Sequence, residues 1–341
     1  MNLDRLKVLC SSFGVSSAES IVGKEIRDRY RPLCDELVYD RLGSVFAWKK
    51  SKNENAKRFM IASPMDEIGF MISEINTDGT LSFISLENPS PNSLLHQRVS
   101  ILTRNGEYID GVIGCFGKVL ENKCETKGTE DLKIRCGYNY ESIKKMVRPG
   151  DLVSYKENFC CKDGVLISKA LFPRVLNEVS IALLEKIKGE EFDYHIGIGC
   201  VAQSVVGYRG TKTATYVMKP DAAVALTVFD AADKKINLGE GVCLGYYDKQ
   251  MLPSQMLLHD MESKIEVKPF LGTMGNDGSF IHKTRMGTPT VSIGIPMENV
   301  GSANEICLMK DADALANVLY SYLKKIDSKK IAEFGFGDLD G

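Results

Sequence analysis

The sequence predicts an α/β protein, a mostly parallel β-sheet flanked by helices, with a small β-barrel domain inserted into it. From residue 165 onward, apolar runs alternate with stretches of helical period, as strands covered on both faces require. Between 71 and 155 the texture changes to short alternating segments broken by Asn76-Thr77-Asp78-Gly79, Asn105-Gly106 and Pro149-Gly150, which suits a small barrel. With 341 residues, 44% hydrophobic and 26% charged, the chain can bury a large core and build two domains.

Taken in order, residues 2–10 and 18–35 have helical periodicity, with Ser16 or Ser17 as a cap and Glu19 in the first turn of the second helix. Residues 37–49 are strand-like around the turn Asp40-Arg41-Leu42-Gly43, and 58–62 form a short apolar strand. The barrel strands fall at 70–75, 80–86, 97–103, 107–114, 132–136 and 152–155. Helix 174–188 leads to strand 194–203, helix 207–217 and the buried strand 222–229. A helix at 254–264, a strand at 265–270, a Gly-rich turn at 272–278 opening a helix at 279–286, strand 290–295 and helix 310–325 complete the pattern. The expected organisation is an α/β domain of residues 1–70 and 162–330, an inserted domain of 71–161, and a flexible tail at 331–341.

The net charge of −2 and the absence of a basic stripe interleaved with aromatics argue against a nucleic-acid partner. Residues 1–6 lack the apolar core of a signal peptide, and no apolar run approaches the roughly 20 residues that span a bilayer, so the expectation is a cytoplasmic protein with no membrane partner. Ten cysteines, none in a C-x-x-C pair, read as free and mostly buried thiols; Cys160-Cys161 read as two neighbouring core or edge thiols, with a redox or soft-metal site as the alternative. No Gly-x-Ser-x-Gly elbow is present, and Gly272, Gly275 and Gly278 are not followed by the Lys-Ser/Thr of a P-loop. His195 and Cys200 lie five apart on one strand, hence on opposite faces. His96, His195, His259 and His282 are each read as structural, and Arg209 fits a pocket or a surface equally.

The segment from Met60 to Phe70, with Pro64-Met65-Asp66-Glu67-Ile68-Gly69-Phe70 at its core, resembles the first metal-binding segment of the M42 (glutamyl aminopeptidase-like) family of dinuclear metallopeptidases. There it reads His-Met-Asp-Glu-Ile-Gly-Phe. The resemblance continues through Asp40-Arg41-Leu42-Gly43, Gln97-Arg98-Val99, Gly111-Val112-Ile113-Gly114, Gly207-x-Arg209-Gly210 with Ala214, Pro220-Asp221 and Gly275-Asn276-Asp277-Gly278. It implies a zinc-peptidase-like fold, a site for two divalent metals such as zinc or cobalt, and homo-oligomers up to a dodecameric shell in which the inserted domain makes contacts.

Carried over position by position, the metal site is empty of donors. The first histidine is Pro64, and the bridging aspartate of Ala-Leu-Asp-Asp-Arg is Phe172. The general-base glutamate of Glu-Glu-Val-Gly is matched to Gln203 and the ligand glutamate beside it to Ser204. The strand aspartate is Thr227 and the last histidine Gly301. Asp66 remains, but its family role, orienting that first histidine, has no object. Asp230, an odd offset from Thr227 on a strand, points away from the site. The expectation is a non-catalytic M42-like protein without a cofactor, binding a peptide or small molecule in the old cleft or serving as an oligomeric scaffold. The alternative is a metal-dependent aminopeptidase or hydrolase with an atypical or rebuilt site.

Overall fold

A computed structural model describes residues 1–116, 128–233, 236–272 and 275–335. Its main sheet has eight strands: β1 (Glu36–Tyr39), β2 (Val45–Lys49), β3 (Arg58–Pro64), β12 (His195–Val201), β13 (Ala222–Asp230), β14 (Cys243–Tyr247), β15 (Lys268–Leu271) and β16 (Thr290–Met297). The order is β1-β2-β12-β3-β13-β16-β14-β15, and the central run β12-β3-β13-β16 is parallel throughout. The expected mostly parallel sheet is therefore present, with antiparallel pairs at β1–β2, β2–β12 and β14–β16. Six further strands, β4 (Gly69–Ile75), β5 (Thr80–Ser85), β6 (Arg98–Leu102), β7 (Tyr108–Gly114), β8 (Lys133–Arg135) and β9 (Leu152–Tyr155), close into a barrel with its own apolar core. All six match segments expected from alternation.

Helices α1 (Leu3–Ser11), α2 (Ser20–Tyr30), α5 (Leu171–Ile187), α6 (Arg209–Met218), α7 (Gln255–Lys264), α8 (Gly278–Ile281) and α9 (Met309–Leu323) accompany the main sheet. Helices α3 (Pro91–Leu94) and α4 (Tyr140–Met146) belong to the barrel region, and α10 (Ser328–Glu333) follows α9. The long apolar α5 lies in the main core against β3 and α9. Among the described residues, no helix is long and apolar enough to cross a membrane.

Several expectations shift. The second helix ends at Tyr30 rather than 35, because Pro32 admits only a 3₁₀ turn at Arg31–Leu33. Neither serine caps it: Ser17 has φ of 73° and Ser16 donates to Asp66. The helix expected over 279–286 stops at Ile281, since Arg285 and Gly287 adopt left-handed φ of 63° and 95°. A second sheet, β10 (Cys160–Lys162), β11 (Val165–Ser168) and β17 (Glu305–Leu308), has no counterpart in the sequence reading, nor do α4 and β14. The first residues of the expected tail are ordered instead: α10 runs to Glu333, and Ile331 and Phe334 are buried. Residues 336–341, Cys124 and part of the Gly-rich turn lie outside the described residues. The nine cysteines within them are all free, five of them buried.

Gly294 sets the closeness of β13 and β16. It faces Thr227 across the parallel ladder, and a Cβ there would lie 1.9 Å from the Thr227 carbonyl oxygen. Gly294→Ala must push the two strands apart. The expected loss is about 3 kcal/mol, read from urea unfolding.

Candidate functional site

The parallel strands end at one edge of the sheet, where ligands bind in open α/β folds. Pro64 closes β3, Gln203–Val205 follow β12, and Asn299–Ser302 follow β16. The barrel contributes Glu87–Ser90, Ser93 and Tyr155 from the other side. Between them lies a cleft of about 510 Å³.

Asp66 organises the floor. It is 1% exposed, and its carboxylate accepts the Ser204 N–H at 2.8 Å, the Val205 N–H at 3.0 Å and the Ser16 hydroxyl at 2.5 Å. Its role is therefore not vacant, as the loss of the neighbouring histidine suggested: it pins the β12–α6 loop. Glu19 takes the adjoining Gln203 N–H at 2.9 Å, so three successive amides are tied to two carboxylates. Burial, followed by the Glu19 charge, pushes Asp66 up to about 7.

Two more buried carboxylates work in the same way. Glu305 opens β17 and clamps both rims, accepting the Phe172 N–H at 2.8 Å and the Gly301 N–H at 2.7 Å. Asp277 accepts the hydroxyls of Ser204, at 2.8 Å, and Thr211 on one oxygen, Oδ1. Burial pushes Glu305 up to about 7 and Asp277 up to about 6. Behind Pro64, Asn177 of α5 donates to the Pro64 carbonyl at 2.9 Å.

The cleft brings together Pro64, Asp66, Phe172, Ser204 and Gly301, five of the seven residues singled out in the sequence. Gln203 and Thr227 are not among its lining. Gln203 sits at φ of 54°, and the kink presents Ser204 and Val205 to the cleft in its place. Counted back from Gly207, Glu-Glu-Val-Gly falls on Ser204-Val205-Val206-Gly207, so the register is one residue later than expected. Thr227 lines an adjoining cavity of about 80 Å³ together with Asp230, whereas simple strand alternation sent Asp230 elsewhere. Asp230 is the last residue of β13 and turns to accept the Ala232 N–H, so the alternation ends there.

Val205, Asp277, Glu305 and Tyr155 were missed as cleft residues. Asp277 was visible only as part of the Gly275–Gly278 motif; Glu305 gave a weak signal, a carboxylate opening the apolar run Ile306-Cys307-Leu308. The histidines lie elsewhere: His195 accepts the Ser51 N–H and stacks on Trp48, and His282 bonds the Gly278 carbonyl. Arg209 is exposed. Among the described residues, no three His, Cys, Asp or Glu side chains are grouped as a metal would need.

A model of the M42 glutamyl aminopeptidase family matches residues 43–318. The chain belongs to the M42 family. This M42 chain is 28% identical to the glutamyl aminopeptidase of Lactococcus lactis subsp. cremoris over 351 residues, covering 97% of this chain and 98% of the relative. Its fold superimposes on an aminopeptidase of the archaeon Desulfurococcus kamchatkensis with a TM-score of 0.92 and 25% identity, covering 99% and 98% of the two chains. It also superimposes on the TET1 peptidase of Pyrococcus horikoshii, which can assemble into a tetrahedron or a large octahedral shell, with a TM-score of 0.83 at 23% identity. That likeness covers 93% of this chain and 98% of the peptidase.

Proposed function

We propose that this M42 chain is a non-catalytic member of its family, whose cleft binds a ligand without a dinuclear metal centre and whose fold serves a homo-oligomeric scaffold. The donor set carries the reading. Two divalent cations about 3.5–4 Å apart need several imidazole and carboxylate ligands. At the positions the family motifs assign, this chain has Pro64, Phe172, Ser204, Val205, Thr227 and Gly301. Proline, phenylalanine, valine and glycine side chains offer no donor, and neutral hydroxyls bind zinc poorly. The remaining carboxylates do not replace them. Asp66 and Glu305 spend both oxygens on backbone N–H groups, and Asp277 spends one on two hydroxyls.

Gly301 adds a backbone argument. Its φ of 83° is strained for any side chain, and a Cβ there would lie 2.9 Å from Ile68. The rim is thus shaped for glycine, not for a histidine pointing inward. The residues present do not fit the two metals, so no hydrolytic step is derived through them. Oligomerisation is supported by the shared fold with the TET1 peptidase and its shells.

The test is release of N-terminal residues from a mixed panel of short peptides, with Zn²⁺ or Co²⁺ supplied. We expect no turnover above the buffer rate. Chelator-sensitive turnover would overturn the reading.

A further inference from the structure

A second cavity, of about 330 Å³, opens between the α1–α2 segment and the outer face of barrel strands β6, β7 and β9. It shares only Tyr155 with the cleft, so the two spaces are separate. Its inner wall holds Ser154 and Lys169, 1% and 2% exposed. Lys169 is the one buried charged residue of the lining. Lys156 and Glu157, of opposite charge, stand further out, and Lys156 is held by Asp110 at 2.8 Å.

The charges behind this wall do not balance. Glu67 carries one negative charge and meets two buried cations, Lys169 at 2.6 Å and Arg174 at 3.4 Å. Arg174 also donates to the carbonyls of Leu9, Met65 and Ser12. Lys169 is less well served. An ammonium has three N–H groups, and this one places two, on Glu67 Oε2 at 2.6 Å and Ser154 Oγ at 3.1 Å; the third has no acceptor among the described residues. A buried ammonium is costly unless its charge is matched and its N–H groups are bonded. Burial lowers the Lys169 pKa against the raising effect of Glu67, as an incompletely matched cation requires. Because Lys169 borders the cavity, a ligand there can supply the missing acceptor.

The opening is apolar. Phe13, Ile21 and Tyr108 line it, with the rings of Phe13 and Tyr108 6.0 Å apart and Ile21 on the exposed side of α2. One unplaced N–H and one unmatched charge suit a single carboxylate, whereas a phosphate calls for several donors. The volume lies at the small end of ligand pockets.

We infer that this cavity binds a small monocarboxylate with an apolar body, its charge on Lys169 Nζ and its body against Phe13, Ile21 and Tyr108. The site is distinct from the cleft and does not depend on whether the cleft holds metal.

The test compares 3-phenylpropanoate with two probes of similar shape, the neutral 3-phenylpropanamide and the cation 2-phenylethylammonium. Affinities for the full chain are read by ligand-observed NMR at pH 7, with EDTA present so that no metal captures the carboxylate. We expect the carboxylate to bind about tenfold more tightly than either other probe. Lys169→Met leaves Glu67 paired with Arg174, so it should fold as the parent does by circular dichroism and yet lose that preference. Ile21→Glu, at an exposed position, sets a like charge at the opening and should lose it too; it decides the question if Lys169→Met does not fold. Equal binding of the three probes, no binding of any at millimolar concentration, or an unchanged preference in either folded variant would overturn the inference.

Discussion

Glu67→Ala should cost about 3–5 kcal/mol, the largest loss expected from any single side chain near the cleft. Glu67 is 2% exposed and serves four donors. Oε1 accepts the Gly14 N–H at 2.8 Å and Arg174 at 3.4 Å; Oε2 accepts Lys169 at 2.6 Å and the Ser154 hydroxyl at 2.9 Å. These partners lie in the loop between α1 and α2, in α5, just before α5, and in barrel strand β9. Glu67 thus joins the barrel to the α/β core. The side chains of Lys169 and Arg174 are 3% and 0% exposed, so truncating Glu67 strands two cations away from water. Burial already lowers the Lys169 pKa against the raising effect of Glu67. Urea unfolding should show a lower midpoint with an unchanged slope. If the variant does not fold, Glu67→Ala with Lys169→Met removes one stranded charge and should recover part of the loss. Glu185→Ala, which breaks a partly exposed pair with Arg5, should cost less than about 1 kcal/mol. A loss below that level for Glu67→Ala would show that the buried triad does not hold the domains together.

Stability should fall as pH rises from 5 to 8. Asp66, Asp277 and Glu305 have folded pKa values raised by burial to about 7, 6 and 7, from ordinary values of 3.8, 3.8 and 4.5. A raised acid holds its proton more tightly folded than unfolded. Its contribution is complete below about pH 4 and is lost as pH climbs through its folded value. Each tenfold gain in proton affinity is worth about 1.4 kcal/mol, so the combined fall is on the order of 5 kcal/mol. Lys169 acts in the opposite sense below its ordinary 10.5. Thermal melts at pH 5, 6.5 and 8 should show a midpoint lower by roughly 5–10 °C at the alkaline end. Asp277→Asn removes one titrating group and should flatten the slope. A midpoint that is level or rises over this interval would contradict the buried-acid account.

The barrel was legible because its strands alternate and its turns carry Asn-Gly, Asp-Gly and Pro-Gly signals. The parallel strands were legible because β12, β13 and β16 are apolar runs buried on both faces. The sheet β10-β11-β17 was not, since its strands have only 3–4 residues and β11 pairs with β17 across more than 130 positions. Pro64, Asp66, Phe172, Ser204 and Gly301 could be placed in the cleft from motif order alone. Gln203 was placed one residue early: counted back from Gly207, the motif falls on Ser204 and Val205, and Gln203, in a left-handed conformation after β12, lies outside the cleft lining. Tyr155 gave no signal as a cleft residue and Glu305 only a weak one, since their roles depend on segments that meet only in the fold: Glu305 bonds a backbone 133 residues away.

The central claim is that this M42 cleft does not hold two metals. Elemental analysis of the purified chain, after incubation with excess Zn²⁺ or Co²⁺ and removal of free ion, tests it most directly. The account predicts well under one bound metal per chain, and uptake only after Pro64, Phe172, Ser204, Val205, Thr227 and Gly301 are together replaced by His, Asp, Glu, Glu, Asp and His. Two tightly bound metals per unmodified chain would contradict it.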